Sequence, residues 1–132
     1  MTQSTYSNDR RFRNRYTDPS ILAEVSKRGW LGHPKAIQVV KVENFSLSGI
    51  AISATFKLKL NQQLILNLEH EDHRLNAIPA VVSRIDRRDV STNTYYYALK
   101  YTFGALNEPA RNVAYTVLKL IEERLIATAD VA

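Results

Sequence analysis

Asn44-Phe45-Ser46-Leu47-Ser48-Gly49 sits in the middle of an otherwise strand-like run from Lys35 to Thr55. Before it, Ile37, Val39, Val40 and Val42 are β-branched; after it, Ile50 and Ile52 alternate with Ala51 and Ser53. A short polar segment therefore joins two strands. Asn and Ser side chains bond nearby backbone groups and hold turns, and Gly49 can take a positive φ or let a bulky group approach the main chain. Taken alone the stretch is a strand-to-strand turn, because short polar motifs recur by chance.

Working outward, the same alternation repeats. Ile21, Ala23 and Val25 set against Leu22, Glu24 and Ser26 predict a first strand, and Gly29 to Pro34, containing Trp30, a loop. Lys35 to Glu43 and Ile50 to Thr55 are the strands on either side of the turn. Leu64, Leu66 and Leu68 make Gln63 to Glu69 another. Ala77 to Ile85 follows, with Pro79 arguing for an edge or a bulge. In Thr92 to Phe103, Tyr95, Tyr97, Leu99 and Tyr101 face opposite to Tyr96, Ala98 and Lys100. Six strands without interleaved helices predict an antiparallel barrel or sandwich, and closing the sheet removes exposed edges.

The period then changes. Ala110, Ala114, Val117, Leu118, Ile121 and Leu125 recur at helical spacing, so a C-terminal helix over about 107–127 is expected to lie on the barrel. Asn107 suits the N-cap, Glu108 the positive end of the helix dipole, and Pro109 the first turn. The expected fold is thus all-β, a barrel plus one helix, in a single domain over 19–132. Residues 1–18 have little to bury, and Pro19 disfavours helix before it, so they are expected to form a flexible arm.

With 132 residues, 45% hydrophobic and 23% charged, the chain has the composition of one soluble globular domain. No apolar run approaches a membrane span, and Met1 to Asn8 lacks the apolar stretch of a secretory signal, so a cytoplasmic location is expected. The absence of cysteine excludes a disulfide framework, thiolate metal sites and thiol nucleophiles. The net charge of +5 suggests an anionic partner, and +3 of it falls within residues 1–28.

Positioned acid, base or nucleophile groups are thin, and no glycine is followed by the Lys-Ser or Lys-Thr of a phosphate loop, so a non-enzyme is expected. His70-Glu71-Asp72-His73 reads as a polar hairpin turn rather than a metal cluster. Arg84, Arg87 and Arg88, diluted by Asp86 and Asp89, read as a solvated turn. Tyr95, Tyr96 and Tyr97 could stack bases as barrel proteins do, but they alternate, and at least one face is core.

Upstream of the barrel lies Arg10-Arg11-Phe12-Arg13-Asn14-Arg15. Arg-x-x-x-Arg at Arg11 and Arg15, followed by Asn-x-Ser-x-x-Gly at Asn44, Ser46 and Gly49, then short strands and a terminal helix, resembles the PilZ domain family over about Asp9 to Leu125. The resemblance implies a roughly six-stranded barrel that binds cyclic di-GMP. Guanidinium suits such a ligand, since its fork grips phosphate or the O6/N7 edge of guanine and its plane stacks on a purine.

By the resemblance, Arg11 and Arg15 grip the ligand from the arm while Asn44, Ser46 and Gly49 receive it on the barrel. Gly49 would leave room for a purine against the backbone. Asn44 stands where many relatives carry aspartate, and its neutral amide makes a weaker contact than a carboxylate. Arg10 completes an arginine doublet that, in relatives, accompanies an intercalated pair of ligands. The implied role is a receptor that passes the signal to a downstream effector protein. The alternatives are a scaffold or pilus-assembly partner with weak or no nucleotide binding, and a nucleic-acid-binding barrel, which explains the charge but not the spacing of the motifs.

Overall fold

Six antiparallel strands close into a barrel in the computed structural model, which describes residues 20–28 and 34–131. They are β1 (Leu22–Arg28), β2 (Pro34–Phe45), β3 (Gly49–Ala54), β4 (Gln63–His70), β5 (His73–Asp89) and β6 (Thr94–Tyr101). Around the barrel the order is β1-β2-β3-β6-β5-β4, with β4 closing on β1. A 24-residue helix, α1 (Glu108–Val131), follows. The expected barrel and terminal helix are both present. The arginine-rich arm and the loop carrying Trp30 lie outside the described residues.

Alternation fills the barrel. Ala23 and Val25 of β1, Leu64, Leu66 and Leu68 of β4, and Ile50 and Ile52 of β3 point inward and are buried. Tyr97, Leu99 and Tyr101 of β6 are buried, while Lys100 between them is exposed. Tyr97 also pins the β3–β4 connection. Its hydroxyl donates to the Phe56 carbonyl at 3.0 Å and accepts from the Leu58 N–H at 2.8 Å, so its polar tip is satisfied inside the core.

The helix begins as its cap residue requires, with Asn107 Oδ1 accepting from the Ala110 N–H at 2.9 Å. Ala114, Leu118, Ile121 and Leu125 form its buried stripe. Arg124 Nε donates to Glu71 Oε1 at 2.8 Å, tying the helix to the β4–β5 turn.

β5 is longer than the alternation predicts, 17 residues instead of nine. It starts at His73, directly after the two-residue turn Glu71-Asp72, and runs on through Arg88 to Asp89. Pro79 lies inside a closed sheet, not at an edge. Its carbonyl accepts from the Thr102 N–H at 2.8 Å, just past the end of β6, so the missing proline N–H falls where the ladder is ending. The expected bulge exists two residues earlier, where the β4–β5 register shifts beside Ala77. Ala77 adopts φ 61°, and its N–H is satisfied by Asn67 Oδ1 at 2.8 Å.

Candidate ligand-binding site

The turn over residues 44–49 is shorter than its polar residues suggest. Asn44 and Phe45 belong to β2, Gly49 opens β3, and only Ser46, Leu47 and Ser48 lie between. Leu47 tucks into the core at the barrel's end. The Ser46 N–H donates to the Gly49 carbonyl at 2.9 Å. The Ser46 hydroxyl donates to that carbonyl at 3.1 Å, accepts from the Ser48 N–H at 3.3 Å and lies 3.2 Å from the Ser48 hydroxyl. Ser46 is buried and fully engaged in holding the turn, while Ser48 is exposed.

Gly49 is needed for a different reason than positive φ, which it does not adopt. A Cβ there would sit 2.1 Å from the Leu99 carbonyl oxygen and 3.1 Å from Lys100 Cα. The close approach is to the backbone of β6, so glycine at this position is required by strand packing before any ligand is considered.

Three β-bulges orient the polar side chains around this turn. On β2, Val42 pairs with Ile52 and Asn44 with Ala51, so Glu43 is the extra residue. Its carboxylate accepts from the Ser53 hydroxyl at 2.7 Å. The bulge switches the alternation, so that Phe45 rather than Asn44 enters the core. On β5, Val82 pairs with Leu99 and Arg84 with Ala98, leaving Ser83 as the extra residue. Ser83 donates its hydroxyl to the Ala98 carbonyl at 3.1 Å. A further shift follows, with Ile85 opposite Tyr97, Arg87 opposite Tyr96, and Asp86 between. Without these two bulges Arg84 would oppose the inward-facing Tyr97. With them, Arg84 and Arg87 project from the outer face.

The result is one continuous surface across β2, β3, β6 and β5. Successive rows read Ser46, Gly49, Lys100 and Val81; then Asn44, Ala51, Ala98 and Arg84; then Ser53, Tyr96 and Arg87. The middle of this surface is small-residued, at Gly49, Ala51 and Ala98, and its rim is polar or basic. A shallow cavity of about 160 Å³ lies in it, lined by Ser46, Ser48, Gly49, Ser83, Arg84 and Lys100 among others.

Arg84, Arg87 and Arg88 are therefore strand residues, not members of a solvated turn. The Arg87 guanidinium lies 3.8 Å from the centre of the Tyr96 ring, and that of Arg88 lies 5.0 Å from the centre of Tyr95. Arg84 forks onto Asp86, with Nε donating to Oδ1 and Nη2 lying 3.4 Å from Oδ2. That hydrogen bond, and then the carboxylate's charge, raise the Arg84 pKa above its ordinary value. Among the described residues no three His, Cys, Asp or Glu side chains gather as a metal site would need.

The structure thus brings Asn44, Ser46 and Gly49 together on one outer turn, while Arg10, Arg11 and Arg15 lie outside the described residues. Sequence alternation misses Ser83 and Arg84 as neighbours of that turn, because it carries no signal for the bulge at Ser83 that sets their direction, and misses Lys100 as a neighbour because the pairing of β3 with β6 is supplied only by the fold.

The six-stranded barrel with a terminal helix recurs in solved structures. YcgR of Escherichia coli in complex with c-di-GMP aligns with TM-score 0.60 at 12% identity, over 92% of this chain and 50% of that one. The complex of K. pneumonia MrkH with c-di-GMP aligns with TM-score 0.65 at 14% identity, over 98% and 55%. The chain spans about half the length of these proteins. The PilZ domain of YcgR with c-di-GMP, by contrast, is covered over 98%, with TM-score 0.61 and 13% identity. At such identities the likeness establishes the fold. By sequence, no curated protein matches the chain. The PilZ domain family does match, over residues 9–115, and the chain belongs to that family. No helix among the described residues is long and apolar enough to cross a membrane.

Proposed function

We propose that this domain is a receptor for cyclic di-GMP and that ligand binding changes the surface it offers to a downstream effector protein. The observation that carries this is that a sequence matching the PilZ domain family over residues 9–115 holds both the Arg11 and Arg15 spacing and the Asn44, Ser46 and Gly49 spacing. Relatives in fold, YcgR and MrkH, are solved as complexes with c-di-GMP.

The division of labour follows from residue chemistry. Arg11 and Arg15 supply forked, permanently charged donors that grip guanine and phosphate. Asn44, turned outward by the Glu43 bulge, offers an amide to a guanine edge. Ser46 and Gly49 act through shape: they build the turn and let it lie close against β6, which leaves a flat surface for a purine. The arm orders over the barrel when the ligand arrives, and ordering it reduces net affinity while creating the changed surface. The role is one of binding rather than catalysis, and a nucleotide messenger places it in the cytoplasm. Arg10 adds a guanidinium that offsets the repulsion between two stacked ligands, giving two per chain.

Titration calorimetry with cyclic di-GMP, GTP and single-stranded DNA at two salt concentrations tests the proposal. Specific binding of cyclic di-GMP supports it, with a ratio of two that falls to one in Arg10→Leu. DNA binding alone, with a steep salt slope, would replace it by a nucleic-acid role. One observation favours the scaffold alternative, namely that the fold itself accounts for Ser46 and Gly49; binding of none of the three would support that alternative.

A further inference from the structure

Across the outer surface from the Ser46–Gly49 turn stands a second group of polar residues on β5 and β6. The turn and Arg84 are separated by β6, so the span from β3 to β5 is two strand spacings, on the order of 10 Å. Between them the floor is Gly49, Ala51 and Ala98, all small residues. The bulge at Ser83 turns Arg84 to this side, and the second shift at Asp86 keeps Arg87 there, opposite Tyr96. Bulges that re-aim side chains in this way concentrate next to binding sites.

The two arginines are held differently. Arg87 is spread on the Tyr96 ring. Among the described residues Arg84 is held by Asp86 alone, in a pair whose side chains are 58% and 35% exposed. An ion pair so open to water is weak and exchanges readily for a stronger anion. Lys100, exposed and lining the same cavity, makes no ion pair among the described residues.

From this we propose that Arg84, backed by Lys100, forms the far wall of the ligand site and takes up phosphodiester charge of cyclic di-GMP, and that Asp86 holds Arg84 back in the empty protein. This rests on the cyclic di-GMP reading above. The site on the barrel then has two sides, the turn at Ser46 and Gly49 and the Arg84 guanidinium across β6. Asp86 sets the affinity, since the ligand must displace it to reach the guanidinium fork. Arginine suits the position because its fork passes from one pair of oxygens to another without losing its geometry.

The test is a set of calorimetric titrations with cyclic di-GMP on the full chain, with melting curves to show that each variant is folded. Arg84→Gln is expected to weaken binding about tenfold, the usual loss for one charge-assisted contact. Arg84→Lys should recover part of that loss, because the charge returns without the fork. Asp86→Asn is expected to tighten binding, by up to about fivefold, the most that an exposed pair holds back. In the Arg84→Gln/Asp86→Asn double variant the gain from Asp86→Asn should vanish, which separates release of Arg84 from a general rise in positive charge. If the parent binds and Arg84→Gln binds equally well, the far wall is wrong while the receptor reading stands. If Asp86→Asn tightens binding equally in the absence of Arg84, the restraint by Asp86 is wrong. If the parent itself does not bind cyclic di-GMP, the receptor reading fails and the far wall falls with it.

Discussion

The β2–β3 turn and the outer side of β5 flank the same surface and are built on opposite plans. In the turn nearly every polar group is spent on the turn itself. Ser46 bonds to Ser48 and Gly49, and Gly49 lies against β6 too closely for any side chain. On β5 the charges are held by one or two partners each: Arg84 by Asp86, Arg87 by the face of half-buried Tyr96, and Arg88 by the face of Tyr95 and by Asn93. The contrast teaches that a sequence motif and a contact set are different things. Ser46 and Gly49 give the surface its shape, whereas β5 carries exposed charges around that shape.

Substitutions test the contrast, and the largest effect is expected in the turn. Gly49→Val should destabilise the barrel by about 3 kcal/mol or more, because a Cβ 2.1 Å from a carbonyl oxygen forces β3 away from β6. Thermal melting measures it. A variant that melts like the parent would mean that the two strands adjust freely and that the turn is not a rigid platform. Ser46→Ala should cost about 1 kcal/mol, since it removes the hydroxyl that bridges Gly49 and Ser48. A loss of ligand affinity with no change in denaturation midpoint would instead make Ser46 a direct ligand contact.

The smallest effect belongs to β5. Arg88→Ala gives up one exposed ring contact and one bond to Asn93, and is expected to cost about 0.5 kcal/mol. A loss above about 2 kcal/mol in urea unfolding would show that this strand end is as fixed as the turn.

How much of this was legible depended on whether alternation ran unbroken. Leu64, Leu66 and Leu68 were read correctly as one inward face because β4 carries its period of two through them. Asn107 and the Ala114, Leu118, Ile121, Leu125 stripe likewise announced the helix and its buried side. The far half of β5 was not legible. Bulges at Ser83 and Asp86 break the period, and a strand that is exposed and charged over residues 83–88 looks like a loop. For the site, the spacing of Arg11 and Arg15 and of Asn44, Ser46 and Gly49 was visible, and the family match bears out the resemblance. What Gly49 touches was not visible, because its neighbour Leu99 lies 50 residues away in a strand whose register only the fold supplies.

In the proposed receptor the arm arginines and the barrel turn form one cyclic di-GMP site, and the arm contributes binding and not stability. The most direct measurement is calorimetric titration of the parent and of Arg11→Ala and Arg15→Ala with cyclic di-GMP, paired with a melting curve for each. The parent is expected to bind, each variant to lose at least about tenfold in affinity, and stability to change by no more than about 0.5 kcal/mol. Unchanged affinity in both variants, with the parent binding, would contradict the proposal.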